Sequence, residues 1–596
     1  MNSTTTMVTK LDHWADKAPD KPALHGGSPD ALTTWTWSQY RDDVHQVGRA
    51  LIAAGIAPGE SVALIGNNTP QWLIADLGIL AAAAVPTPIY VTNTAEQVAW
   101  VINHCQARVV FADTAEQYEK LLAERPDLPR VELVVLIDDI PDRDPEWTSS
   151  WQEFMSTGSE DSEPELRTRM DNVAPDDLTL LCYTSGTTGE PKGVQLRHEG
   201  WNAVIASVVE IVPVIELGER TVSYLPLCHV AEHAMTLGLQ AKSGAEVFCC
   251  DDVAKVKDFL PVARPTIFLA VPRVWEKFES ALRVRLGEAT GIKAKLADWA
   301  VRTEFKGFQS DIEAGKKTGG IQRDLANKLV ISKVKAALGL DQVRVCLSGS
   351  APMSPKTADF FASLGLPIHD VYGMTETTAV VSMAPLGIPR SGTVGKPISC
   401  VSVRFADDGE ILAKGPGMTL GYHNAPELTA ELIDSDGWLH TGDIGNLDHD
   451  GFLRITDRKK DLFKTSGGKY VAPQLLESKL KSIPGVSQAV AVGDGQRFIG
   501  AVLTLDPDGA PALAGELGIL FDGDLAAFSR DPKLVAYIDE QVARVNRDLA
   551  RYEQIKKVTI LPEELSVEAG ELTATMKIKR KAIRTNHAEA IDALFS

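Results

Sequence analysis

Thr184-Ser185-Gly186-Thr187-Thr188-Gly189-Glu190-Pro191-Lys192-Gly193 follows directly on the apolar run Leu178–Tyr183, and this junction decides how the rest of the chain is read. The run predicts a buried strand, because it is short, apolar and bounded by turn formers. The loop after it offers backbone N–H groups, the hydroxyls of Thr184, Ser185, Thr187 and Thr188, and the cation of Lys192. Together these suit a polyphosphate. The loop is not a Walker A motif, since Gly193 follows Lys192 where Ser or Thr would stand, and Glu190-Pro191 interrupts the run. A plain surface turn would also be rich in Gly, Ser and Thr. Ten such residues placed at the end of a buried strand favour the phosphate reading.

Working outward, Ser61–Gly66, Arg108–Asp113, Val131–Asp138 and Val343–Ser348 are short β-branched runs that alternate with segments of helical period. That alternation predicts α/β architecture with buried strands. Thr94 to Gln97 reads as a capping box, with Val98, Val101, Ile102 and Cys105 on one core-facing stripe. Val535, Ile538, Val542, Val545 and Leu549 make a similar stripe after Asp531-Pro532. Trp72–Val91 is the most apolar stretch, but Asp76, Pro86 and Pro88 argue for a buried helix and strand over a membrane span. Met155–Asp177 is polar and acidic and reads as a surface connection. A boundary is expected near Asp457–Lys460, where the strand-like run Gly451–Thr456 meets a charged stretch.

The composition narrows the function classes. With 596 residues, 44% hydrophobic and 23% charged, the chain has the balance of a soluble protein of more than one domain. A net charge of -20 argues against a nucleic-acid partner, because phosphates require a positive field. The seven cysteines are scattered without a CxxC pair, against both a disulfide framework and a zinc site. The first residues carry no apolar stretch behind a basic start, so the cytoplasm is the expected compartment. Peripheral membrane contact and homo-oligomerisation stay open.

The loop, read with its preceding tyrosine as Tyr183-Thr184-Ser185-Gly186-Thr187-Thr188-Gly189-Glu190-Pro191-Lys192-Gly193, resembles the signature of the adenylate-forming superfamily. That superfamily includes acyl-CoA synthetases, luciferases and peptide-synthetase adenylation domains. Later segments match it in order, from about Asp12 to Ile583. Ser348-Gly349-Ser350-Ala351-Pro352 resembles its adenine-flanking loop, and Tyr372-Gly373-Met374-Thr375-Glu376-Thr377 its second nucleotide segment. The resemblance implies that Tyr372 stacks near adenine, Thr375 meets the α-phosphate, and Glu376 with Thr184 holds Mg²⁺. Trp438–Asp443 resembles the segment whose aspartate binds the ribose hydroxyls, with Arg458 as the second ribose contact. Leu225–His229 resembles the acyl-site stretch, with His229 near the carboxylate. The position where some long-chain relatives carry a gating tryptophan holds His233.

The same resemblance implies a large N-terminal domain of αβ layers over 1–457, a hinge at 458–462 with Lys460 at its pivot, and a smaller mobile α+β domain over 463–596. Lys577, in Leu572–Arg580, stands where the family's lysine bridges acyl carboxylate and α-phosphate, although Met576 replaces the usual glycine before it. Thr465-Ser466-Gly467-Gly468-Lys469-Tyr470-Val471 resembles the loop that approaches the thiol. ATP, Mg²⁺ and coenzyme A are the implied cofactor and co-substrates. The stretches Pro88–Val98 and Ala270–Lys277 resemble the long-chain fatty acyl-CoA synthetase branch, which a helical extension over Glu276–Leu338 also fits. A fatty acyl-AMP ligase that loads a carrier protein, and a non-catalytic nucleotide- or fatty-acid-binding protein, are the alternatives.

Overall fold

The computed structural model describes residues 4–184, 190–466, 469–573 and 577–596. Its first parallel sheet has five strands in the order Val85–Ile89, Ser61–Ile65, Val109–Ala112, Leu133–Leu136 and Thr148–Ser150. The predicted strands are therefore present, each trimmed at its polar ends. Pro86 and Pro88 sit opposite Val62 and Leu64 on the edge strand, where a residue without an N–H breaks no ladder.

The helix Pro70–Ala81 is buried at every position but Gln71, which accounts for its lack of a polar face. Thr69 caps it by accepting from the Trp72 backbone N–H at 3.1 Å, and Pro70 occupies its first turn. Trp72 to Val91 is thus a core helix and strand, as the sequence predicts. Among the described residues no helix is long and apolar enough to cross a membrane.

A second sheet begins with three parallel strands, Ile267–Ala270, Val345–Ser348 and Ile368–Tyr372, and continues antiparallel through Ser382–Met383 and Lys396–Pro397. Trp275 and Phe361, both essentially inaccessible, pack ring to ring behind it at 4.9 Å. The hairpin of Leu178–Thr184 with Lys192–Arg197 carries the opening loop. An antiparallel sheet of Ser402–Phe405, Glu410–Lys414, Leu439–Leu447 and Leu453–Arg458 follows. The C-terminal part has its own core around Val486–Val492, Ile499–Leu505 and Ile555–Ile560.

Two sequence readings are corrected. Met155–Asp177 contains a helix, Glu163–Asp171, whose Leu166 and Met170 are buried in an otherwise polar sequence. In the helix Pro532–Val545 the inward stripe is Leu534, Ile538 and Val542, while Val535 is 39% exposed. Leu549 lies beyond that helix. The helical extension after Glu276 is present as Pro272–Gly287, Gly291–Ala314 and the turns up to Ala337.

Candidate active site

The opening loop leaves the sheet at Thr184 and returns at Lys192, and these two residues are register partners across the hairpin. Ser185, Gly186, Thr187, Thr188 and Gly189 lie outside the described residues. Lys192 Nζ sits 4.9 Å from the centre of the Tyr422 ring, a cation–π contact, and Tyr422 Oη donates to Glu376 Oε1 at 2.7 Å. Thr184, Lys192, Tyr422 and Glu376 thereby line one side of a cavity of about 1940 Å³.

Glu376 and Thr375 are held on a single tight turn, Thr375–Thr377, that follows the strand Ile368–Tyr372. The turn is closed by Thr378 and Ala379 in left-handed conformations, φ 51° and 73°, and Ser350 is left-handed at φ 71°. Non-glycine residues there are strained, and such strain concentrates at functional sites. Gly373 is required sterically, because a Cβ would lie 2.0 Å from the Ala379 carbonyl oxygen. Gly349, Ser350 and Ala351, after the parallel strand Val345–Ser348, line the same cavity beside Gly373 and Thr375. The site therefore lies at the C-terminal ends of the parallel strands, where ligands of open α/β sheets bind.

Behind the wall that Gly442 and Arg458 give the cavity, Asp443 is 5% exposed and shared by two donors. Tyr372 Oη donates to its Oδ2 at 2.8 Å, and Arg458 Nε lies 3.3 Å from its Oδ1. Burial raises the Asp443 carboxyl, while the Arg458 guanidinium and the Tyr372 hydroxyl pull it down. Burial and the neighbouring Asp443 push Tyr372 well above its ordinary range, so its O–H stays a donor.

Lys577 reaches into this same cavity from the C-terminal part. Its backbone is pinned by two hydrogen bonds with Thr573, the Lys577 N–H to Thr573 Oγ1 at 3.0 Å and the Thr573 N–H to the Lys577 carbonyl at 2.8 Å. Ala574, Thr575 and Met576 lie outside the described residues. Burial and the nearby Arg458 push the Lys577 ammonium down to about 8, against the opposing pull of Asp443 and Glu376. Contacts along the helix Pro272–Gly287 hold the two parts together. Glu276 meets Lys481 at 2.8 Å, Ser280 meets Asp506 at 2.8 Å, and Arg273 pairs with Glu564.

His229 lines the cavity at the start of a short helix, and its Nδ1 accepts from the Ala231 N–H at 3.3 Å. That bond assigns the ring proton to Nε2. Burial, then Lys577, push its pKa down to about 3, so the imidazole is neutral. His233 is fully buried instead, edge-on to Trp72 and Trp201, with Nε2 3.7 Å from Asp76 Oδ2. It is a core residue and does not line the cavity.

The predicted hinge, 458–462, is tied back by the Lys459 N–H to the Gly442 carbonyl, and within it the Asp461 N–H donates to the Arg458 carbonyl. Gly467 and Gly468 lie outside the described residues, between the paired strands Phe463–Lys464 and Tyr470–Val471.

Sequence reasoning did not single out Tyr422, or Trp100 and His104, which meet Tyr183 of the signature stretch. His104 stacks on Trp100 at 4.6 Å, and its Nδ1 is 2.7 Å from Tyr183 Oη. For Tyr422 the available signal was the glycine-spaced run Gly417–Tyr422. Trp100 and His104 fall on the helix Ala95–Cys105, where they resemble ordinary surface positions.

Residues 11–423 match the family model for AMP-binding enzymes, and residues 460–596 match that of the AMP-binding enzyme C-terminal domain. The chain belongs to the AMP-binding enzymes. Within them it is similar to the long-chain-fatty-acid–CoA ligase FadD15 of Mycobacterium bovis, 34% identical over 95% of this chain and 92% of that protein. It is also similar to the long-chain-fatty-acid–CoA ligase ACSBG2 of Xenopus laevis, 32% identical over 97% of this chain and 82% of that protein. Among solved structures, the anthranilate CoA ligase AuaEII in complex with anthranoyl-AMP superposes with a TM-score of 0.73, at 21% identity and 99% coverage of both chains. The adenylation and carrier didomain of the carboxylic acid reductase from Segniliparus rugosus, in complex with AMP, gives 0.75 at 20% identity, over all of this chain and 83% of that one. These two likenesses concern the fold.

Proposed function

We propose that the chain is an AMP-forming ligase of long-chain fatty acids and coenzyme A. The observation that carries this reading is the meeting of Lys577, Glu376 and Arg458 in one cavity that also has an apolar arm, with Asp443 paired to Arg458 behind its wall. Val208, Val212, Leu239, Ile267 and Met383 line that arm, and no polar ligand needs such walls. The names of the relatives support the same class of substrates.

In the first step a fatty carboxylate oxygen bonds to the α-phosphorus of ATP while the bond to the bridging oxygen breaks, releasing pyrophosphate. Two anions must approach in line, so cations on both sides lower the barrier. Lys577 spans acyl carboxylate and α-phosphate, and Lys192 faces the departing phosphates. Asp443, an acceptor only, takes the ribose hydroxyls, with Arg458 beside it. Ser350 and Ala351 flank the base, Tyr372 borders it and Thr375 meets the α-phosphate. Neutral His229 carries its proton on Nε2 and donates to the acyl carboxylate.

The residues fit Mg²⁺. That ion takes one or two carboxylates and completes its shell with water and substrate phosphates, and Glu376 is a buried carboxylate with Thr184 at the loop mouth. Glu376 and Thr184 would hold it, and it would supply neutralisation of phosphate charge.

In the second step the sulfur of coenzyme A bonds to the acyl carbon and gives up its thiol proton to solvent, the acyl–phosphate bond breaks and AMP leaves. Lys577 occupies the cavity by way of the C-terminal part, so rotation about Lys460 would withdraw it and bring the loop of Gly467 and Gly468 to the thiol.

Half-reaction assays of Lys577→Ala test this division. The expected result is loss of acyl-AMP formation from acid and ATP, with thioester formation from preformed acyl-AMP retained. Equal loss in both would overturn it.

A further inference from the structure

We infer that Glu219 is a positioning residue that fixes the far end of the acyl cavity and so sets the longest acid accepted. This rests on the ligase reading above and adds its length determinant.

The direction of the arm follows from the sheet. The reacting groups lie at the C-terminal ends of the parallel strands Ile267–Ala270, Val345–Ser348 and Ile368–Tyr372, near Val271, Gly349 and Gly373. Ile267 lines the same cavity from the opposite, N-terminal end of its strand. Four residues of strand separate Val271 from Ile267, about 13 Å. The arm therefore runs down the sheet from the chemistry towards the strand beginnings.

What stands at those beginnings is the segment that follows the helix His198–Ile211. Val212 and Val214 of this segment line the cavity, whereas Ile215 is 50% exposed, so the segment is a thin wall between the arm and solvent. It belongs to no helix or strand and needs a tie to keep its place. Leu217 supports it with a left-handed φ of 52° and an N–H donated to the Ser243 carbonyl at 2.7 Å.

Glu219 is that tie. It is 1% exposed, and its two oxygens collect three donors from three parts of the chain. The Ile215 N–H donates to Oε1 at 2.6 Å, Arg344 pairs with the same oxygen, and Thr266 Oγ1 donates to Oε2. Thr266 immediately precedes the strand Ile267–Ala270, Arg344 immediately precedes Val345–Ser348, and Glu219 itself precedes Arg220–Ser223. Arg344 also lies 3.4 Å from the Pro213 carbonyl oxygen. One buried carboxylate thus fastens the wall to the starts of three strands. A buried carboxylate without such partners would be costly, so the geometry is specific.

Removing the carboxylate frees Val212 and Val214 to move outward, and lengthens the arm. Glutamine keeps the geometry, because its carbonyl can accept from Ile215 and Arg344 while its amide donates to Thr266 Oγ1.

The test is kcat and KM for decanoate, stearate and behenate with Glu219→Ala, Glu219→Gln and Val214→Trp. For Glu219→Ala the ratio of kcat/KM for behenate over stearate should rise about tenfold, chiefly through KM. Glu219→Gln should restore the wild-type ratio. Val214→Trp, which shortens the arm and leaves the tie intact, should lower stearate relative to decanoate by about tenfold. A merely structural role would depress all three acids equally. Ratios unchanged in Glu219→Ala, or in Val214→Trp should the first variant fail to fold, would overturn the inference and leave the ligase reading intact. Failure of the wild-type chain to activate any acid would overturn the ligase reading itself.

Discussion

Asp443 and Arg458 face each other as register partners on adjacent antiparallel strands, with the Arg458 Nε 3.3 Å from Asp443 Oδ1. The second oxygen of Asp443 is taken by Tyr372 from a different sheet. This shared carboxylate joins the parallel sheet that carries Glu376 to the antiparallel sheet that leads into the C-terminal part. Asp443→Asn keeps the volume and removes the charge. It should lower kcat/KM for ATP about ten- to a hundredfold, the worth of one or two charge-assisted hydrogen bonds. Initial rates of pyrophosphate release over a range of ATP check this, and an unchanged kcat/KM would separate Asp443 from nucleotide binding.

Lys577 must be a cation to draw two anions together, and its ammonium is pushed down to about 8 by burial and by Arg458. The charged form exists below that value and is lost above it. For the free enzyme kcat/KM of acyl-AMP formation should therefore fall as pH rises through about 8. Lys577→Arg, which keeps its charge, should move the alkaline fall upward whatever its absolute rate. A pH–rate profile with no alkaline fall in the wild-type chain would contradict this.

Arg273, Glu276 and Ser280 lie on one side of the helix Pro272–Gly287, and each contacts the C-terminal part. These contacts accompany the arrangement that puts Lys577 in the cavity. Glu276→Ala with Ser280→Ala should slow acyl-AMP formation several-fold, since each of these partly buried contacts contributes about 0.5–1.5 kcal/mol. Thioester formation from preformed acyl-AMP should be unaffected or faster. Single-turnover measurement of each half-reaction is the check, and a slowing confined to the thiol step would show that the contacts serve the other arrangement.

His369 is buried and doubly bonded, with Nδ1 3.1 Å from the Cys346 carbonyl and Nε2 accepting from the Gly387 N–H at 2.9 Å. Only the neutral ring makes both bonds. Burial pushes its folded pKa down to about 4, below its ordinary value of 6.5. Between these values the unfolded chain binds the proton and the folded one does not, so stability is present above the unfolded pKa and is lost as pH falls through the window. Thermal melting should show Tm falling between pH 6.5 and about 4. His369→Gln should lower Tm at neutral pH and flatten that slope. A slope as steep as wild type would assign the acid sensitivity elsewhere.

How much of this was legible in the sequence depended on locality. The opening loop is read from its own residues, because it gathers several special residues in a short stretch, whereas Gly373 to Glu376 and Asp443 are read only through the resemblance, from segments that recur in order. The strands were legible because buried parallel strands are continuously apolar, as Val109–Ala112 is. Tyr422 was not, since its role depends on a hydrogen bond to a residue 46 positions away. The helix Glu163–Asp171 was missed because Leu166 and Met170, four apart, are its only buried positions. The choice of Leu534 over Val535 is a rotation of one residue about a helix, which apolar pattern alone does not fix. The Glu219 tie draws on residues 215, 266 and 344 and has no local signature at all.

The most direct measurement incubates the chain with stearate, ATP, Mg²⁺ and coenzyme A, with controls lacking each in turn, and identifies the products by mass spectrometry. The account predicts stearoyl-CoA, AMP and pyrophosphate together, and stearoyl-AMP with pyrophosphate when coenzyme A is withheld. Stearoyl-AMP without stearoyl-CoA in the complete mixture, or no acid-dependent consumption of ATP, would contradict it.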